Sequence, residues 1–158
     1  MLGQLRKYVD IDCRKLFFNA HLMAHINYAA TVWSNASKVH LKKLNSLHRR
    51  AAKLILPDHS LSTTAKLKKL DILPLQEQFV YNTAVLMFKI LNMYATFLTE
   101  RLLDMSQKAV LPRTRIDLYK MSFAFSGSSV WNSLPPKLKT YKSVRGFKVG
   151  LRKILISK

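Results

Sequence analysis

Hydrophobic side chains recur with helical spacing from residue 14 to about residue 103. Small polar residues interrupt this pattern at 34–37, and Pro57 interrupts it again. The pattern predicts helices over residues 12–33 and 38–56, a short helix capped within residues 62–64 and ending near residue 70, a long helix beginning near Pro74, and a shorter piece over residues 95–103.

The long helix is apolar on almost every side from residue 79 to residue 91. A helix that is hydrophobic all round is normally buried. We therefore expect it to form the centre of the core, with Leu86, Phe88 and Leu91 buried. A membrane span over residues 79–98 is disfavoured, because Lys89 lies at its middle, where a charge costs about 2.5–3.5 kcal/mol.

The pattern changes after residue 104. Residues 105–120 have no clear period and predict a loop. Residues 122–126 alternate in polarity and place Phe123 and Phe125 on one side, which predicts a short extended segment that Gly127 ends. A turn carrying Trp131 should follow.

The end of the turn is marked by Leu134 and Pro135, and Ser143 is placed to cap a last amphipathic helix. The expected fold is mainly α: a small multi-helix bundle with a short extended or hairpin segment and a C-terminal amphipathic helix. Residues 1–104 would form a helical region, and residues 105–158 would pack on the same core.

The composition is strongly basic. Lys and Arg number 27 against 8 Asp and Glu, which gives a formal net charge of +19 over 158 residues. A polyanion is the natural partner for this excess, with nucleic acid first and an acidic membrane surface second. Cys13 is the single cysteine, so a disulfide framework is excluded and a reducing compartment fits. The chain shows no secretory signal, and an intracellular location, nuclear or cytoplasmic, is expected.

The second predicted helix carries cations on one side. At about 100° per residue, four of them fall within about 60°, and we call these four the basic stripe. They are Lys38, Lys42, Arg49 and Lys53, with Lys43 and Arg50 as a flanking pair. The far side carries Leu44, Leu47, Ala51, Leu54 and Ile55. The stripe predicts contacts to a phosphate backbone, whereas the alternative is an ordinary solvated helix face.

The last predicted helix repeats this arrangement. Its cations Arg145, Lys148 and Arg152 lie on one face, and the residues opposite are Phe147, Leu151 and Ile154. Two helices with the same division favour a nucleic-acid role over a solvated face.

Candidates for catalysis are weak. Tyr8-Val9-Asp10-Ile11 resembles the aromatic-X-Asp-Asp turn of polymerases, but Ile11 replaces the second acid, so two metal ions could not be bridged. His21 and His25 have the spacing of a helical zinc pair without a third ligand. The sequence predicts a protein without catalytic residues, metal, cofactor or small-molecule substrate.

The two tryptophans have two possible roles. Trp33 and Trp131 could stack on bases, as aromatic residues do in single-strand binders. Trp131 lies among apolar residues, and we expect it to pack beneath the last helix. Its neighbour Asn132 is placed to tie the turn.

Four stretches of the chain together resemble the extreme C-terminus of a non-LTR (LINE-type) retrotransposon reverse transcriptase. They are SFAFSGSSVWNSL at residues 122–134, followed by two prolines and FKVGLRK at 147–153; HINYAATVW at 25–33; LHRRAAKLIL at 47–56; and LDILPL at 70–75. The resemblance covers nearly the whole chain in the family's order, although no stretch is a catalytic signature.

The resemblance implies a helical thumb and the tail beyond it, which follow the palm in these RNA-directed DNA polymerases. The basic stripe and Arg50 would then contact the backbone of the template-primer, and residues 130–135 would form a structural turn. The family's fingers, palm acid pair, endonuclease domain and cysteine-histidine knuckle are missing, so the fragment would not polymerise alone. A truncated transposon remnant and a helical protein–protein interaction module are the alternatives.

Overall fold

The computed structural model describes residues 2–5, 8–93, 108–113 and 115–157. Helices dominate these residues, and no β-strand occurs among them, which confirms the mainly α prediction. The predicted piece over residues 95–103 lies outside the described residues.

The helices are numbered here in chain order. They are α1 (Leu2–Leu5), α2 (Ile11–Phe17), a π-helical segment (Phe18–Met23), α3 (Ala24–Asn27), α4 (Ala30–Trp33), α5 (Lys38–Ile55), α6 (Thr63–Lys69), α7 (Leu75–Met93), α8 (Asp117–Lys120), α9 (Phe123–Ser133), α10 (Pro136–Lys139) and α11 (Val144–Ser157). The chain divides into two compact units, 1–78 and 79–158. This boundary lies within α7, whereas the change of pattern in the sequence placed it near residue 104.

The first unit begins with helices that are less continuous than predicted. Asp10 caps α2, and its Oδ1 accepts the Cys13 N–H at 2.8 Å. The backbone then passes through the π-helical segment into α3, which ends at Tyr28. Ala29 has a left-handed conformation with φ of 48°. The single helix predicted over residues 12–33 is therefore wrong at this break.

The later helices of the first unit begin and end close to their predicted positions. α5 ends at Ile55, two residues before Pro57, which disfavours helical backbone in the residue before it. Ser62 caps α6, because its Oγ accepts the Ala65 N–H at 3.2 Å. Pro74 directly precedes α7, as the preference of proline for helix starts predicts.

Arg14 is a buried cation that joins two helices of the first unit. Its Nε donates to the carbonyl oxygens of Val9 and Asp10, both at 3.1 Å. Its Nη1 donates to the carbonyl oxygens of Leu54 at 3.4 Å and Ile55 at 2.9 Å. The guanidinium thus satisfies carbonyls at the end of α5, where a positive charge is also favoured by the helix dipole.

His48 lies on the inner face of α5 and is fully buried, with its ring edge-on to Phe18 at 5.6 Å between centroids. Neither ring nitrogen has a hydrogen-bond partner. Burial lowers the pKa of His48 from 6.5 to about 4. The folded chain therefore holds this histidine neutral at a pH where the unfolded chain protonates it.

Stability should consequently fall as the pH falls from 6.5 to about 4, because the unfolded state binds more protons in this window. We expect a loss of about 3 kcal/mol in the free energy of unfolding from this one group. Urea unfolding of the wild type and of His48→Leu at several pH values measures it. The carboxylates also titrate in this range, but they affect both proteins alike. Equal pH dependence in the two proteins would therefore show that His48 is not its source.

The core of the second unit is aromatic. The rings of Phe88 in α7 and Phe147 in α11 stack at 4.3 Å between centroids, and Trp131 lies 6.3 Å from Phe147. All three are buried, which confirms that Trp131 packs against the last helix. Of the residues predicted to be buried in α7, Phe88 and Leu91 are buried, whereas Leu86 is partly exposed.

The predicted extended segment at residues 122–126 is wrong, because these residues begin α9. Ser122 caps this helix, and its Oγ accepts the Phe125 N–H at 3.4 Å. Phe123 and Phe125 are both half-buried and do not share one face of a strand. Gly127 lies inside α9, where a Cβ would come within 2.9 Å of the Met87 sulfur. A larger residue at this position would push against Met87 and the Phe123 ring, and Gly127 lies inside the helix without ending it.

Asn132 fastens residues 108–113 to α9. Its Oδ1 accepts the Ala109 N–H at 2.8 Å, and its Nδ2 donates to the Ala109 carbonyl oxygen at 2.9 Å. Leu134 is buried at the end of α9, and Pro135 precedes α10. Asn132 was predicted to tie a turn around Trp131, but both residues lie within α9, and Asn132 instead binds a segment 23 residues away in sequence.

Candidate nucleic-acid interface

α5 divides into a buried face and a basic face. Its buried residues are His48, Ala51, Ala52 and Ile55. Every cation of the basic stripe is exposed, as are Lys43 and Arg50 of the flanking pair. Leu47, expected on the buried side, is 54% exposed, and Leu44 and Leu54 are only half-buried. The core side of α5 is thus rotated toward His48 and away from Leu47.

The basic face is long enough to follow a nucleic-acid strand. Lys38 and Lys53 stand at its two ends, and fifteen residues of helix rise about 22 Å. Phosphates of one strand of duplex DNA follow each other by about 3.4 Å along the axis. The face is therefore about as long as six phosphate steps measured along the axis of a duplex.

No acidic residue lies within α5. In the described part of the chain, none of the six cations forms an ion pair with a carboxylate. Unpaired cations of this kind attract an anionic partner, so the face suits a polyanion as far as the described residues go.

The basic face of α11, in the second unit, is weaker. Arg145 is exposed, but Lys148 and Arg152 are half-buried, and the apolar side chain of Val149 is 51% exposed. On the other side Phe147 and Leu151 are buried as expected. The third buried residue is Leu155, whereas Ile154 is half-buried, so this part of the prediction is wrong.

The tryptophans are held in the structure. Trp131 is 4% exposed, and the Lys139 Nζ lies 5.6 Å from the centre of its ring. Burial lowers the pKa of Lys139. Trp33 is half-buried, and its Nε1 donates to the Tyr28 carbonyl oxygen at 2.8 Å. The ring of Trp131 is therefore closed to a base, whereas Trp33 is only partly covered.

The residues considered for catalysis or metal binding make local structural contacts. Asp10 caps α2, and the Cys13 N–H that it accepts holds the pKa of the carboxyl below its ordinary value. His21 stacks on Phe17 at 4.1 Å between ring centroids. Among the described residues, no three His, Cys, Asp or Glu side chains come together as a metal site would require.

Within the same residues, no helix is both long and apolar enough to cross a membrane.

Three features of the first unit differ from what the sequence predicts. Arg14 and Lys66 are buried although they are cations, and Tyr8 is exposed although it is aromatic. Arg14 lies four residues before the buried Phe18, and residues at this spacing share one face of a helix, so the spacing favours burial of Arg14. The sequence contains no corresponding signal for Lys66 or Tyr8.

Comparison with family models, with curated proteins and with solved structures finds no match for this chain. The charge and geometry of α5 are therefore the main basis for a functional proposal.

Proposed function

We propose that this protein is a non-catalytic nucleic-acid-binding module that contacts the phosphate backbone through α5. The observation that carries this proposal is the set of six exposed cations on one side of a helix whose other side is buried. The helix is fixed by its core, so the spacing of these cations is fixed as well. Binding a polyanion then releases counterions without first ordering the helix.

The expected recognition is independent of sequence. Lysine and arginine on an exposed helix face reach phosphates, and phosphate contacts position a protein without reading bases. Residues of α11 add charge in the second unit, with Arg145 the most exposed. With a nucleic-acid partner, we expect the protein to be in the nucleus or the cytoplasm.

We further propose that the chain corresponds to the region after the palm of a non-LTR reverse transcriptase, namely the thumb and tail. The ordered series of four resembling stretches and the mainly helical fold support this origin. In a parent polymerase the basic stripe would grip the template-primer duplex, and the polymerase core would be a further partner. Trp131, Leu134 and Pro135 would keep a structural role.

The purified protein should bind a primed template and should not extend it. Phosphoryl transfer needs carboxylates that hold two metal ions, and Asp10 is followed by Ile11 and serves as a helix cap. Two primed templates of unrelated sequence should bind with equal affinity, measured by fluorescence anisotropy, and gels with nucleotides and Mg²⁺ should show no extension. Strong preference for one sequence, or extension that Asp10→Ala abolishes, would overturn the proposal.

A protein-interaction module is the second candidate function. Val39 and Leu47 are 61% and 54% exposed on α5, and exposed apolar residues among cations suit an acidic, amphipathic partner helix. Absence of nucleic-acid binding at about 0.1 M salt would favour this candidate over the first.

A further inference from the structure

Tyr8 is the most exposed of the large hydrophobic side chains in the described residues, with 83% of its surface accessible. It lies in the turn between α1 and α2. An exposed ring gains nothing from the core of the protein, but it offers a flat apolar face to a ligand.

The turn that carries Tyr8 is fastened to the C-terminal end of α5. The Arg14 Nε donates to the carbonyl oxygens of Val9 and Asp10, and its Nη1 donates to the carbonyl oxygen of Ile55 at 2.9 Å. The guanidinium therefore links Val9, the residue next to Tyr8, to Ile55, the last residue of α5. The position of Tyr8 is tied to the end of the basic face.

Exposed cations lie on the α5 side of this junction. Arg49, Arg50 and Lys53 are exposed in the last two turns of α5, where phosphates would be attracted. A nucleotide with its phosphate on these cations would have its base within reach of the exposed tyrosine, because Arg14 ties the turn of Tyr8 to the end of α5.

We propose that Tyr8 stacks on an unpaired base of a single-stranded nucleic acid whose phosphates lie on the C-terminal end of α5. This inference rests on the proposed function and adds the class of substrate to it. Bases of a duplex are already stacked on each other, so a side chain at the backbone reaches a base face only in a single strand or an overhang. Tyr8 would then favour single-stranded over duplex segments at this end of the helix.

The test compares two single strands that carry the same number of phosphates. One is oligothymidylate of about twelve nucleotides, and the other is an abasic oligomer of equal length. Tyr8→Ala should weaken binding of oligothymidylate by about 5- to 150-fold and leave binding of the abasic oligomer unchanged. Tyr8→Phe keeps the ring and should bind like the wild type, and the salt dependence should be the same in all three proteins.

Tyr28 provides the matched control, since it is 81% exposed and lies at the break between α3 and α4. Tyr28→Ala should leave both affinities unchanged. The inference is overturned if Tyr8→Ala binds oligothymidylate as the wild type does, or if it weakens the abasic oligomer equally. A different result would contradict the proposed function, namely that neutralising the basic stripe leaves the affinities for oligothymidylate and for the abasic oligomer unchanged.

Discussion

Replacing all four residues of the basic stripe by glutamine is expected to lower the affinity for duplex DNA by about 4,000-fold at about 0.1 M salt. Each phosphate contact makes the slope of log affinity against log salt steeper by about 0.9. One contact therefore raises the affinity at 0.1 M salt about eightfold over its value at 1 M salt. The four side chains are exposed, and glutamine is a good helix former, so the fold should survive. Fluorescence anisotropy measures the affinity, and circular dichroism checks the fold.

A matched control removes the same charge elsewhere. Four exposed lysines outside α5 serve for it, namely Lys68, Lys69, Lys137 and Lys142. Lys66 is excluded because its side chain is only 5% exposed and its loss would disturb the core. The control should lose far less affinity than the stripe variant. Equal losses would mean that only the net charge matters, and the stripe would be an ordinary solvated face.

Phe147→Ala is expected to reduce the free energy of unfolding by about 3–5 kcal/mol. The Phe147 side chain is fully buried, and its ring stacks on Phe88 and lies close to Trp131, so its removal leaves a cavity among aromatic rings. Such a loss is comparable with the whole stability of many domains. Urea unfolding followed by tryptophan fluorescence measures it.

Val149→Ala on the same helix is the control for this prediction. Val149 is 51% exposed, and its truncation should change the free energy of unfolding by less than about 0.5 kcal/mol. Similar losses for Phe147→Ala and Val149→Ala would contradict the aromatic core described for the second unit.

Much of the helical fold follows from local signals. α5, α6 and α11 lie close to their predicted ranges because apolar periodicity coincides with serines that precede them and, for α5, with a proline after it. The left-handed Ala29 could not be predicted, since alanine is the best helix former and carries no mark of a break. The alternating pattern at residues 122–126 is too short to distinguish a strand from a helix. The N-cap at Ser122 favours the helix.

The candidate site was predictable in part for the same reason. Helical geometry alone places the basic stripe on one side of α5, and its exposure agrees with that prediction. The orientation of the core side was less certain, because leucines and His48 compete for it and only packing in three dimensions selects His48 over Leu47. The position of Tyr8 depends on hydrogen bonds from Arg14 to residues about 40 positions later, which no local pattern contains.

The salt dependence of duplex binding tests the role of α5 most directly. If the four stripe cations each contact one phosphate, the log-log slope of the wild type includes a contribution near −3.6 from them. Each single substitution to glutamine should flatten the slope by about 0.9, alike on duplexes of unrelated sequence, while single substitutions at Lys68 or Lys137 should leave it unchanged. A slope that stays the same without the stripe, or that changes equally with the control lysines, would contradict the assignment of α5 as the nucleic-acid-binding element.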